Sequence, residues 1–126
     1  MDTRLSGRRI LIVEDEPMIA WMLDDILVAL GCTVIGSADR IAEALAMIED
    51  RQIDAAVLDV NLRSQMSYPV ADVLAARGIP FVLTTGYARD RLLPPYRAYP
   101  YLLKPYHRLA MRDALLDLFT PHAKAA

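Results

Sequence analysis

Five short apolar runs, each followed by a stretch of helical length, restrict this chain more than any other feature. The runs are Arg9–Val13, Cys32–Gly36, Ile53–Leu58, Pro80–Thr84 and Tyr99–Leu103. Each has strand length and is bounded by polar or turn-forming residues. The first intervening stretch, Glu16 to Leu30, reads as a helix. Pro17 suits its first turn, Ile19, Met22, Leu23, Ile26 and Leu30 form its apolar face, and Gly31 is placed to end it. The second helix is capped by Ser37 or Asp39 and reaches to about Asp50, with Ile41, Leu45 and Ile48 inward. After a loop over Val60–Tyr68, Pro69 opens a third helix that runs through Ala76 and stops at Gly78. The stretch 87–98 permits at most a short helix before Pro94-Pro95. Tyr106 to about Phe119 forms the last helix.

Strand and helix therefore alternate as (βα)5. Right-handed crossovers turn that order into a doubly wound α/β fold, a mostly parallel sheet with helices on both faces. A hydrophobic fraction of 55% suits a sheet covered on both sides. With 126 residues, the expectation is one domain with its core at about residues 8–119. Residues 1–7 and 120–126 are expected to fray as tails.

Composition excludes several functions. A net charge of -2 is wrong for a dedicated nucleic-acid binder. The lone Cys32, expected to be buried, rules out an intramolecular disulfide, and His107 and His122 offer little to a histidine metal centre. The longest uncharged run, Ile26–Ala38, cannot span a bilayer, and the N-terminus lacks an apolar signal region. A cytoplasmic protein with no membrane partner is expected.

In parallel α/β sheets, ligands bind beyond the carboxyl ends of the strands. Here strand 1 runs into Glu14-Asp15-Glu16, strand 3 into Asp59, strand 4 into Thr84-Thr85-Gly86 and strand 5 into Lys104-Pro105. Carboxylates brought together repel one another unless a cation sits among them. A set of hard oxygen ligands suits Mg²⁺, which often helps to hold a phosphoryl group. Lys104 supplies a point charge for a phosphoryl oxygen, and a threonine hydroxyl supplies a donor.

In this order and spacing, Glu14-Asp15, Asp59, Thr85 and Lys104-Pro105 resemble the motifs of a response-regulator receiver domain, the phosphoacceptor of two-component signalling. The resemblance runs from about Arg9 to Phe119. It implies a flavodoxin-like sheet of strand order 2-1-3-4-5. It also implies that Asp59 takes a phosphoryl group from a sensor histidine kinase or a histidine phosphotransfer protein. Mg²⁺ would be held by Glu14, Asp15, Asp59 and the backbone carbonyl of Asn61. Lys104 would bind the acyl phosphate, with a cis bond before Pro105. Thr85 and Tyr101 resemble the switch pair, with Thr84 and Tyr99 as competing positions. Asn61 and Tyr87 match the positions that set phosphoryl lifetime, where the bulk of Tyr87 is expected to slow hydrolysis.

With seven residues after Phe119, the expected mode of action is stand-alone, through a downstream protein target or a homodimer. The alternatives are a phosphorylation-independent binding module of the same fold and a small Mg²⁺-dependent phosphohydrolase. The second lacks the aspartate two residues after the nucleophile, since Asn61 stands there. The chain departs from the family pattern where Pro94-Pro95 cuts short the fourth helix and so reshapes the output surface. The last helix carries a wide apolar face, Leu109, Met111, Leu115, Leu116, Leu118 and Phe119. Part of it is a candidate partner surface beside Arg89, Arg91, Arg97 and Arg108. Trp21, Met18 and Met47 read as ordinary helix residues.

Overall fold

A computed structural model of the chain describes residues 3–120. The elements in order are β1 (Arg9–Val13), α1 (Pro17–Ala29), β2 (Thr33–Ala38), α2 (Ile41–Asp50), β3 (Ala55–Asp59), β4 (Asn61–Leu62), β5 (Gln65–Met66), α3 (Tyr68–Ala76), β6 (Phe81–Thr85), β7 (Tyr101–Leu103) and α4 (Arg108–Leu118). Two single-turn 3-10 helices, Arg89–Arg91 and Pro94–Tyr96, lie between β6 and β7. The main sheet is parallel throughout, in the order β2-β1-β3-β6-β7, which is the 2-1-3-4-5 order of the long runs.

Period two along the strands divides the core. Leu11, Val13, Ala56, Leu58 and Leu83 face α2, α3 and the 3-10 segment. Ile10, Ile12, Ala55, Val57 and Val82 face α1 and α4. Full burial of each large aliphatic side chain is worth about 1.5–3 kcal/mol, so the two layers dominate stability.

Several local expectations are corrected. On α1, Leu23, Ile26 and Leu27 are buried while Met22 points outward, because the stripe facing the sheet runs one position later. Trp21 and Met18 are 73% and 76% exposed. Strand β2 begins at Thr33 and continues through Gly36 to Ala38, where a β-carbon on Gly36 would collide with the Met47 side chain. Neither Ser37 nor Asp39 caps α2. Its N-cap is Arg40, and the Asp39 amide donates instead to Glu43 Oε1 at 2.9 Å. Pairing in β7 starts at the Pro100 carbonyl, which accepts from the Leu83 amide.

The expected loop after β3 contains a two-stranded antiparallel hairpin, β4–β5. The N-terminal stretch is not frayed over residues 3–7: Leu5 is buried under α4, and Arg4 Nη1 donates to Thr120 Oγ1 at 2.5 Å. Residues 1–2 and 121–126, with His122, lie outside the described residues. On α4, Met111 and Leu115 are buried, Leu116, Leu118 and Phe119 are half-buried and Leu109 is exposed. Among the described residues, no helix is long and apolar enough to cross a membrane.

Candidate functional site: an acidic crevice with one lysine

Four strand ends meet above the centre of the sheet. Val13 delivers Glu14 and Asp15, β3 ends on Asp59, β6 ends on Thr84 and Thr85, and Leu103 delivers Lys104. Ligand atoms of Glu14, Asp15 and Asp59 lie within 4.8 Å of one another. Glu14 and Asp59 are buried, and Asp15 is half-buried. Lys104 Nζ donates to Glu14 Oε1 at 2.6 Å and to Asp59 Oδ2 at 3.0 Å. The Lys104–Pro105 peptide bond is cis. The Lys104 amide also donates to the Thr85 carbonyl at 2.7 Å, tying the lysine's backbone to the end of β6.

Three carboxylates against one ammonium leave the crevice short of positive charge. Burial pushes the Glu14 carboxyl up to about 7, opposed by Lys104 and reinforced by Asp59. Burial pulls the Lys104 ammonium down, but Glu14 and Asp59 together outweigh it, so Lys104 lies above its ordinary value. Such a set, rich in hard oxygen donors and deficient in positive charge, fits a divalent cation such as Mg²⁺.

A cavity of about 420 Å³ opens over these groups and is lined in part by Asp15, Asp59, Asn61, Tyr87 and Lys104. The Asn61 amide donates to Asp59 Oδ1 at 3.2 Å, so both Asp59 oxygens have a donor. Thr85 is buried, and its Oγ1 accepts from the Tyr87 amide at 3.0 Å. Tyr101 is set apart from the cavity. It is half-buried, packs on the core, and carries the Arg89 guanidinium 4.5 Å above its ring. Tyr99 packs instead on Phe81, with ring centroids 4.6 Å apart.

Three contributors escaped sequence reasoning. Ser67 stands at the N-cap of α3, but its Oγ makes no cap hydrogen bond and donates instead to the Asp59 carbonyl at 2.5 Å. The Arg63 amide donates to Asp15 Oδ2 at 2.8 Å from the hairpin tip. The Tyr106 hydroxyl is buried with no hydrogen-bond partner among the described residues. Burial, then the charge of Glu14, pushes it up to about 12. Its place directly after Lys104-Pro105 was the one available signal.

The sequence profile of the response regulator receiver domain matches residues 10–116. This chain is a member of that family. It is 31% identical over 103 residues to the transcriptional regulatory protein PdtaR of Mycobacterium tuberculosis, covering 79% of this chain and 50% of PdtaR. The chain spans about half the length, or less, of the curated relatives it matches. The solution structure of SdrG from Sphingomonas melonis Fr1 is 48% identical, with a TM-score of 0.81, covering 95% of this chain and all of that one. A BeF3-activated conformation of SdrG aligns with a TM-score of 0.79 at 47% identity, covering 91% of this chain and 98% of that one. The receiver domain of the sensor histidine kinase PA1611 from Pseudomonas aeruginosa PAO1, with a magnesium ion coordinated in its active-site cleft, is 25% identical. Its TM-score is 0.78, over 90% of this chain and 98% of that one. The acidic cluster with its buried lysine bridge is the phosphoacceptor and Mg²⁺ type of site found in receivers.

Proposed function

We propose that this receiver accepts a phosphoryl group on Asp59 from a phosphohistidine of a sensor histidine kinase or a histidine phosphotransfer protein. The observation that carries the reading is the Lys104 ammonium bridging Glu14 and Asp59 beside Asp15. An Asp59 carboxylate oxygen attacks phosphorus, the phosphorus–nitrogen bond breaks, and the neutral imidazole leaves with a proton from solvent. The product is an acyl phosphate. Lys104, already 3.0 Å from Asp59 Oδ2, shifts its donors to a phosphoryl oxygen and so stabilises charge as it develops. Glu14, Asp15, Asp59 and the Asn61 carbonyl would hold Mg²⁺, whose chemistry there is to neutralise phosphoryl oxygens. BeF3 is anionic and tetrahedral on a carboxylate, as a phosphoryl group is, so the activated form of the similar SdrG supports this reading.

Thr85 and Tyr101 form the switch. The Thr85 hydroxyl turns from the Tyr87 amide toward the phosphoryl group, and Tyr101 moves into the space beside it. Asn61 and Tyr87, on the cavity rim, control the approach of hydrolytic water. The signal is then read by protein contact in the cytoplasm. Intact mass after incubation with a small phosphoryl donor and Mg²⁺ tests the reading. One added phosphoryl group is expected, absent in Asp59→Ala and without metal. A folded protein that stays unmodified even with a cognate kinase would leave the phosphorylation-independent binding module as the better account.

A further inference from the structure

The β4–β5 hairpin turns through Arg63 and Ser64, at φ 48° and 66°. Both residues occupy the left-handed region, which is disfavoured for side chains larger than glycine. Such turns usually recruit Asn-Gly. A glycine at residue 63 would ease the turn but would abolish what the arginine does. Its Nη2 donates to Asp39 Oδ2 at 2.6 Å and its Nε to the Asp39 carbonyl at 3.3 Å. Asp39 follows the last residue of β2, so it is fixed to the sheet beside the crevice. The same arginine's amide donates to Asp15 Oδ2 at 2.8 Å. One residue thus grips β2's end with its side chain and a crevice carboxylate with its backbone. The grip is reciprocal, since Arg63 holds the Asp39 carboxyl below its ordinary range.

We infer that Arg63 is a positioning residue for divalent-cation binding: its ion pair with Asp39 clamps the hairpin so that the Arg63 amide fixes the orientation of the Asp15 carboxylate. This rests on the reading of Glu14, Asp15 and Asp59 as the cation site. Asp15 is the least buried of the three carboxylates and is separate from the lysine bridge, so it has the most orientational freedom to lose. Donors to a ligating carboxylate typically matter about 10–100-fold in metal affinity. An exposed anchor one step further back should matter less, because solvent screens the Arg63–Asp39 pair.

The test is calorimetric titration of Mg²⁺ into the whole chain and its variants, with thermal unfolding alongside. Arg63→Ala and Asp39→Asn are each expected to weaken Mg²⁺ binding roughly three- to tenfold. The double variant should be no weaker than the worse single, because both remove one clamp. Arg63→Lys should recover part of the loss. Melting temperature should barely move in any of them, which separates positioning from general stability. If Arg63→Ala fails to fold, Arg63→Gly removes the anchor while relaxing the turn. Wild-type affinity in both singles, tighter binding in either, or additive losses in the double would overturn the clamp. Asp15→Asn separates the two levels. If the wild type binds no Mg²⁺, or Asp15→Asn binds it unchanged, the cation site itself is refuted. If only the clamp variants are silent, the cation site stands and the clamp falls.

Discussion

The crevice and the 87–99 segment are built on opposite plans, although both follow from the end of β6. In the crevice, the sheet does the positioning. Glu14, Asp15, Asp59, Thr85 and Lys104 are each at, or within two residues of, a paired strand terminus. In the 87–99 segment, side chains hold the backbone. Arg89 Nη1 donates to the Arg97 carbonyl at 2.6 Å, and Arg97 donates to the carbonyls of Leu92 and Asp90. Tyr96 stacks on Tyr68 at 4.1 Å and donates to Asp72 Oδ1 at 2.7 Å, while the Leu93 amide donates to the Tyr68 hydroxyl. Two prolines remove the amides a helix would need, and arginine donors satisfy the carbonyls left over. A site tied to strand ends should be sensitive in chemistry. A segment tied by side chains should be sensitive in local order and leave the chemistry alone.

The strongest challenge to that contrast is Lys104→Ala. It should slow phosphoryl uptake by about a hundredfold or more, as expected when a preorganised donor is lost at a developing anion. A time course of intact mass checks it. Tyr96→Phe in the same assay should stay within about twofold of wild type. Next comes Leu92→Ala. Leu92 is the fully buried anchor of the 3-10 segment, and its loss should cost about 2–4 kcal/mol in denaturant unfolding without changing phosphorylation chemistry.

The third concerns pH. Glu14 has its carboxyl raised from 4.5 to about 7 in the folded protein. The folded state then binds this proton more tightly than the unfolded chain. Its stabilising share is present below about pH 4.5 and is lost as pH rises through 7. Because a cation needs the carboxylate, Mg²⁺ affinity should climb up to about tenfold per pH unit below 7 and level off above it. Glu14→Gln should flatten both slopes, read by calorimetry and by melting at fixed metal. The smallest effect is Tyr96→Phe on stability, about 0.5 kcal/mol for one half-exposed hydrogen bond. Tyr96 is raised to about 12, chiefly by its bond to Asp72, so its share fades as pH rises from 10 through 12. One late-ionising tyrosine should vanish from a phenolate absorbance titration of the variant.

The same contrast explains what could be read without coordinates. The strand termini were legible because apolar runs stop where charge begins, so Asp59 and Lys104 announce themselves. Pro94-Pro95 likewise forecast a broken fourth helix, and the two 3-10 turns bear it out. What could not be read depends on partners far along the chain. Nothing near Tyr96 points to Tyr68 or Asp72, and nothing in Leu5 points to α4. The hairpin hid because Arg63-Ser64 has none of the glycine or asparagine that marks such a turn. Met22 and Leu27 are both apolar, so periodicity could not decide which of them faces inward.

The contact between Arg4 and Thr120 has a practical consequence. Helices in this fold run back from the crevice, so the end of α4 and the segment before β1 meet on the floor of the molecule, beneath the amino ends of the strands. Arg4 and Thr120 therefore sit together on that floor, away from the mouth of the crevice. A fluorophore or crosslink placed at Arg4 or Thr120 leaves the mouth of the crevice open. A short peptide link from Thr120 to Arg4 would let the fold be reopened elsewhere, for example at the exposed Gly78.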